Sequence, residues 1–304
     1  MLWDRGKALT MKQRMVELTN LQFALLLTLP VVLFLLVVVA YPVGYAFWLS
    51  LHRTTFFGGA HIVFCGFENY AVALRSPEFW NGVAVSLRFA LESVVLTLVI
   101  GLGMALSLAR VSRGKGLIYT LSILPWAISR YGAGLMFKYL LRGRTGLLTA
   151  LSFLFGFDAK IDILGVKTVV EGLAIGNAWN LAPLVAFFLL ANIRTIPRRL
   201  YDLAELDGFK ALGKFLNVTL PQLRYTLFVF TCIITVLSLK VFDYIYVQTG
   251  GGPGVASSTL TYYIYKESFL HLHLGYGAAL SFYLLLIIVS ITLLLFVIWG
   301  RKEA

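Results

Sequence analysis

The sequence predicts an all-α membrane protein with six transmembrane helices, and three observations predict it. Of 304 residues, 59% are hydrophobic and only 13% are charged, with a mean hydropathy of +0.84, far from the balance of a water-soluble domain. The apolar residues gather into six runs, each long enough for the about 20 residues that a helix needs to cross a roughly 30 Å hydrocarbon layer. Apolar character surrounds these runs on all sides, and the ten-residue alternating segments of a membrane barrel are absent.

The runs extend from Leu21 to Leu51, Val85 to Leu108, Leu117 to Leu141, Val169 to Ile193, Tyr225 to Val247 and Tyr276 to Trp299. The first is too long for a secretory leader and lacks a small-residue cleavage site, so it reads as a retained anchor helix. Orientation follows from lysine and arginine, which favour cytoplasmic loops. With the N-terminus inside, the inner segments hold Arg5, Lys7, Lys12, Arg14, Arg110, Arg113, Lys115, Arg194, Arg198, Arg199, Lys210, Lys214, Arg224, Arg301 and Lys302, more than half of the 26 basic residues. Both termini are therefore expected in the cytoplasm. The expected order is a cytoplasmic segment (1–20), a first transmembrane helix (21–51), an outer loop (52–84), a core of five helices (85–299) containing an inner loop (194–224), and a cytoplasmic tail (300–304). The net charge of +12 needs no nucleic acid as partner, because anionic lipid at the inner leaflet attracts such residues.

Most catalytic classes find no footing. "GFKALGKF", residues 208–215, nearly fits the phosphate-binding pattern G-x-x-x-x-G-K-[ST], yet Phe215 replaces the hydroxyl and the helical stretch "LYDLAELD" stands where a strand is required. Cys65 and Cys232 are expected at different depths and should not pair. Neither they nor His52, His61, His271 and His273 show metal spacing, and the "HLH" pair is expected at the membrane boundary without a metal. No nucleophile with a base and no carboxylate pair occurs at useful spacing, so an enzyme is not expected.

The 194–224 loop is the one inner segment large enough to dock a partner. It reads as two short helices broken at Gly208, a residue that tolerates positive φ. Leu203 and Leu206 share one side of the first, and Phe209, Leu212 and Leu216 form a stripe on the second. Pro221 is expected to end that second helix. Two readings stand: a helix lying on the lipid surface, or one seated in a groove of a partner protein.

The residues also carry a resemblance. "DLAELDGFKALGKFLNVTLPQL" is similar to the coupling-loop motif of binding-protein-dependent ABC importer permeases, roughly E-A-A-x-x-D-G-A-x-x-x-x-x-F-x-x-I-x-L-P. Asp207, Gly208, Phe215, Leu220 and Pro221 coincide with it, and Val218 stands for isoleucine. Asp202 replaces the glutamate, and Leu203 and Phe209 replace two alanines, which implies bulkier packing against the ATPase. "FDYIYVQTGGGPGVASSTLTYYIYKESF" (242–269), "YPVGYAFWLSL" (41–51) and "ILPWAISR" (123–130) resemble the carbohydrate-uptake group of these permeases.

The resemblance implies the type I ABC importer permease fold in a prokaryotic cell membrane. It also implies a complex: a second related permease, two ATPase subunits that bind the ATP and Mg, an extracytoplasmic solute-binding protein, and a sugar as substrate. This chain itself would carry no cofactor. ATPase coupling is thereby assigned to Asp202, Ala204, Asp207, Gly208, Phe209, Leu212, Phe215, Leu220 and Pro221.

Polar residues inside apolar runs are candidates for the substrate pathway, because an ionisable group at mid-membrane is costly unless it faces protein or water. Lys240 and Asp243 are expected to pair on one helix face, either as a structural bridge or lining the path. Arg88 and Glu92, four residues apart, read as structural. Asn177, Trp179 and Asn180 offer amides and an indole face suited to a sugar, although asparagine is also a common link between helices. Trp126, Arg130 and Tyr131 follow Pro125 and are further candidates. Tyr262, Tyr263, Tyr265 and Phe269 are expected to form an interfacial belt or to brace the outer loop, and "GGGPG" (250–254) a turn. Two alternatives remain open: a phosphorylated polyol such as glycerol phosphate as cargo, favoured by Arg130 and Lys240, and an ion-coupled secondary transporter, for which Glu92 and Asp243 are thin support.

Overall fold

The computed structural model describes residues 20–55, 61–143, 146–155 and 163–300. The basic N-terminal residues and Arg301 and Lys302, on which much of the orientation argument rests, lie outside them. Helix α1 (Phe23–Ser50) leads into a hairpin of β1 (His52–Thr55) and β2 (His61–Phe64) and a short helix α2 (Glu68–Arg75). Then come α3 (Pro77–Ala109), α4 (Lys115–Ala127), α5 (Arg130–Leu141), α6 (Leu147–Leu154), α7 (Val169–Thr195) and α8 (Arg198–Leu206). Helix α9 (Ala211–Leu239) includes a π-turn at Phe215–Thr219. Helix α10 (Asp243–Gln248) precedes α11 (Leu260–Tyr265), which runs on as a π-turn (Lys266–Leu270), and α12 (Leu274–Gly300) ends the described chain.

Five helices, α1, α3, α7, α9 and α12, are long and apolar enough to cross a membrane by length and composition. Burial sorts them. The most apolar stretch of α7 is 72% buried, whereas those of α1 and α12 are 0% buried, so α7 is the centre and the other two present apolar side chains outward. Helix α3 packs along α7 through small residues. Ala105, Ala178, Ala182 and Ala186 are fully or almost fully buried, and a Cβ at Gly101 would lie 2.9 Å from the Val185 side chain and 3.1 Å from the Ala182 carbonyl. Lipid tails are as apolar as leucine, so association in a membrane depends on close backbone approach of this kind.

Three expectations about helix ends need correction. Helix α3 begins at Pro77 rather than Val85, because Ser76 caps it by accepting the Phe79 N–H at 3.2 Å and proline is favoured at a first turn. The expected outer loop 52–84 is therefore a hairpin, a helix and the start of α3. Within it Asn69 donates to the carbonyls of Ser50 at 2.8 Å and His52 at 3.0 Å, which fastens the hairpin to the end of α1.

The third expected span is two helices, α4 and α5, with Ile128 and Ser129 extended between them. Ser129 caps the second of these by accepting the Gly132 N–H. The carbonyls that the break exposes are taken up from α7, since Asn180 donates to Pro125 O at 2.6 Å and Ile128 O at 3.1 Å. Irregular backbone at membrane depth survives where protein supplies such partners.

The fifth expected span shifts towards the N-terminus. Pro221 does not end a helix; it sits in the first turn of regular α geometry after the π-turn, where the Leu220 N–H reaches back to Phe215 O. The wider turn places the missing proline donor at a position where a ladder bond is already displaced. At its other end the helix stops at Leu239, with Lys240 as its cap, and Thr261 Oγ1 donates to the Val241 carbonyl at 2.5 Å.

Two substitutions test these contacts. Gly101→Val overpacks the α3–α7 seam and is expected to cost about 1–3 kcal/mol, read as a lowered unfolding temperature in detergent. Asn180→Leu leaves two carbonyls without a donor at the α4–α5 break and is expected to destabilise by about 1–3 kcal/mol, whereas Asn192→Leu, with one partner in Thr226, should cost less.

Candidate functional site

Two regions carry the residues of interest. The first is the hairpin of α8 and the start of α9. Gly208 has φ +79°; its N–H reaches Glu205 O at 3.0 Å, and the Phe209 N–H reaches Ala204 O at 2.9 Å. These paired bonds to successive carbonyls are the Schellman ending of a helix, which requires a left-handed residue at the turn. Phe209 then folds back over Gly213, where a Cβ would stand 2.8 Å from its ring. Ala204 is buried beneath the turn and Tyr201 contacts Thr219 at 3.0 Å. Lys214 donates to Glu205 at 2.5 Å and so holds that carboxyl below the usual carboxylate range. A depressed carboxyl keeps its partner above its own pKa, so this clasp persists at neutral pH and opens only in acid below the ordinary glutamate range.

The outward side of the hairpin is apolar. Leu206 is 83% exposed and Leu212 70% exposed, with Leu203, Phe209 and Leu216 also open. Asp202, Asp207, Gly208 and Pro221 are exposed, while Phe215 and Leu220 are half-buried. The expected two-helix arrangement broken at Gly208 is thus present.

The second region is the junction of α5, α9 and α10. Lys240 and Asp243 are not on one helix and form no ion pair with each other among the described residues, because α9 ends between them. Both are exposed. Asp243 opens α10, and the guanidinium of Arg130, at the start of α5, donates to Leu237 O at 3.4 Å. Arg130, Lys240 and Asp243 therefore gather where two helices break. Trp126 and Tyr131 flank the α4–α5 break and are exposed.

The asparagines of α7 do not face an open path. Asn177 and Asn180 are buried; Asn177 donates to Ser238 Oγ at 3.3 Å and Asn180 to the two carbonyls of the break. Both act as links between helices here, the alternative that the sequence left open beside a sugar-binding role. Trp179 packs its ring against Phe137 with centroids 5.4 Å apart. Arg88 bridges Glu92, at 2.9 Å within α3, to Glu171 on α7.

Next to the junction stands an aromatic group whose members the sequence only partly singled out. Phe242 lies 5.4 Å from Tyr246 and 4.9 Å from Tyr265 between ring centroids, and Tyr265 continues to Tyr262 and Phe269. Tyr262 also covers the turn at Gly250–Gly254, where Gly250, Gly251 and Gly254 have positive φ. Tyr263 points elsewhere, towards Ser76 and Tyr276. Phe242 and Tyr246 were masked in the sequence by the assumption that α9 continues through them.

Comparison with known proteins follows the same lines. The model of the family described as "Binding-protein-dependent transport system inner membrane component" matches residues 97–301. The chain is 32% identical to the trehalose/maltose transport system permease protein MalF of Thermococcus litoralis over 78% of its length and 80% of the relative's. It is 31% identical to the sulfoquinovosyl glycerol transport system permease protein SmoG of Agrobacterium fabrum, over 84% and 83%. In fold it resembles a chain in the crystal structure of a bacterial alginate ABC transporter in complex with alginate pentasaccharide-bound periplasmic protein, with a TM-score of 0.77 at 20% identity over 93% and 94% of the two chains. With its buried central helix, lipid-facing outer helices and exposed apolar hairpin, the chain belongs to the family of inner membrane components of binding-protein-dependent transport systems.

Proposed function

We propose that this chain is one permease subunit of an ATP-driven sugar importer, forming half of the translocation path with a second, related permease. The observation that carries the proposal is the exposed apolar hairpin at Gly208 in a chain of this family. A permease without a phosphate site of its own must receive work through a surface, and the hairpin is suited to a cleft of an ATPase subunit by the helix-in-groove mode. On this reading the ATPases hold the nucleotide and Mg, and a solute-binding protein delivers cargo to the opposite end. The relatives named as trehalose/maltose and sulfoquinovosyl glycerol permeases support a sugar.

The α4–α5 pair then makes the third of six crossings, both termini lie in the cytoplasm with the hairpin, and β1–β2 faces outside. The path runs past Arg130, Lys240, Asp243, Tyr131 and Trp126, with Phe242 and Tyr246 as stacking faces for sugar rings. Because binding energy that differs between two conformations is what couples two sites, closure of the ATPases on the hairpin shifts the permease between its inward- and outward-open states.

Gly208→Pro, which removes both the left-handed turn and the Gly208 donor, is expected to abolish uptake in a reconstituted or cellular assay while the two permeases still co-purify; unchanged uptake contradicts the coupling role. Leu212→Glu is expected to weaken co-purification of the ATPase at least tenfold. Tyr246→Ala should raise the sugar concentration needed for half-maximal uptake severalfold without lowering basal ATP hydrolysis; loss of both together would mark Tyr246 as a structural brace.

A further inference from the structure

Beside the β1–β2 strands, at the end of the bundle away from Gly208, the chain brings together three side chains that sequence spacing kept apart. Glu267 lies in the π-turn after α11, and His271 and His273 follow it in the short link to α12. His271 Nδ1 is 3.0 Å from Glu267 Oε1 and His273 Nδ1 is 2.9 Å from Oε2, and the three donor atoms all lie within 4.8 Å of one another. The backbone is bent to achieve this. Leu272, between the two histidines, has φ +61°, a conformation that bulky L side chains rarely adopt, and the His273 N–H closes the loop onto Glu267 O at 2.8 Å. A π-turn shifts the register by one residue, which is how positions 267, 271 and 273 come to converge.

We propose that Glu267, His271 and His273 form a binding site for a divalent transition-metal ion of the zinc type. Two imidazoles and one carboxylate are a donor set that such ions prefer, whereas Mg2+ and Ca2+ prefer oxygen alone. Donors around zinc stand ~3–3.5 Å apart; the two histidine–carboxylate separations are close to this, and the whole set, within 4.8 Å, needs only a small contraction to close on an ion. The Glu267 side chain is 11% exposed, and those of His271 and His273 are 44% and 56% exposed. The carboxylate is thus fixed from within while the remaining coordination positions open outward.

Electrostatics agree. Glu267 and His273 line a cavity of about 370 Å³ together with Arg53 and Glu68, and Arg53 is already paired with Glu68 at 2.5 Å. Without metal each Nδ1–H donates to the carboxylate; with metal the Nδ1 lone pair binds the ion and the ring proton moves to the exposed Nε2, which water can serve. A metal here clamps the α11 π-turn to the start of α12.

The test uses the full chain purified in mild detergent with the subunits that accompany it, stripped with a chelator and titrated with Co2+, whose visible absorption reports coordination, and with Zn2+ in competition. His271→Gln and His273→Gln keep a donor to Glu267 and so preserve the hydrogen-bonded loop, but glutamine is a poor ligand. The expected result is one saturable Co2+ site with a nitrogen- and oxygen-ligand spectrum, displaced by Zn2+ but not by Mg2+, and weakened about tenfold or more in each variant. Absence of saturable binding overturns the proposal and leaves the three residues as a hydrogen-bonded brace. Binding that is equal in wild type and both variants also overturns it, by placing the ion on another site or subunit.

Discussion

A peptide group in lipid has no water to bond, and the rest of this structure depends on how the chain meets that constraint. Continuous helices satisfy it by themselves, even through the π-turn at Leu36–Ala40 of α1, which is why α1 and α12 can stand with bare apolar faces outward. Every interruption needs a partner from elsewhere in the protein. Asn180 supplies it for the α4–α5 break, and Thr261 for the turn after α9. Both interruptions draw on neighbouring helices, the first on the deeply buried α7 and the second on α11. They are also the places where charged residues gather, since a broken helix offers backbone and space that an unbroken one does not.

The same arrangement suggests how a push at one end reaches the other. Helix α9 runs without interruption from Ala211, in the hairpin, to Leu239, at the junction of Arg130 and Asp243. Its π-turn near Phe215 absorbs a proline without breaking the rod, and Leu223, Phe230 and Ile234 fix it against α3 and α7 in one buried cluster. On the proposed function, a displacement of the Gly208 hairpin would move the floor of the junction through this helix. Because interiors are close-packed, such a movement is a shift between discrete arrangements rather than a gradual deformation.

Much of this was legible in the sequence, for reasons that differ by residue. Composition and run length disclosed a helical membrane protein because burial in lipid demands apolar residues at every position of a helix. The Gly208 turn was legible because only a few residues tolerate positive φ, and the leucine stripe because an outward apolar face has no local use. The ends of helices were not. Lys240 and Asp243 sit in a run that reads as continuous, and the turn that separates α9 from α10 is supported by a hydroxyl twenty residues away in sequence. Pro221 misled because a π-turn, invisible in local propensity, accommodates it. For Asn177 and Asn180 the sequence left two roles open, because an amide looks the same whether its partner is a sugar or a distant carbonyl. Glu267 was passed over because ordinary helical spacing does not bring it to both histidines.

The account rests on the hairpin being the surface through which an ATPase drives this chain. Its most direct test is photocrosslinking from Leu206→Cys and Leu212→Cys, each carrying a benzophenone, in the assembled complex, with Leu286→Cys on the outward face of α12 as the control. The account predicts adducts between both hairpin positions and an ATPase subunit, changing in yield with nucleotide, and none from position 286. Adducts from the hairpin to lipid alone, in a complex that retains its ATPase, would contradict it.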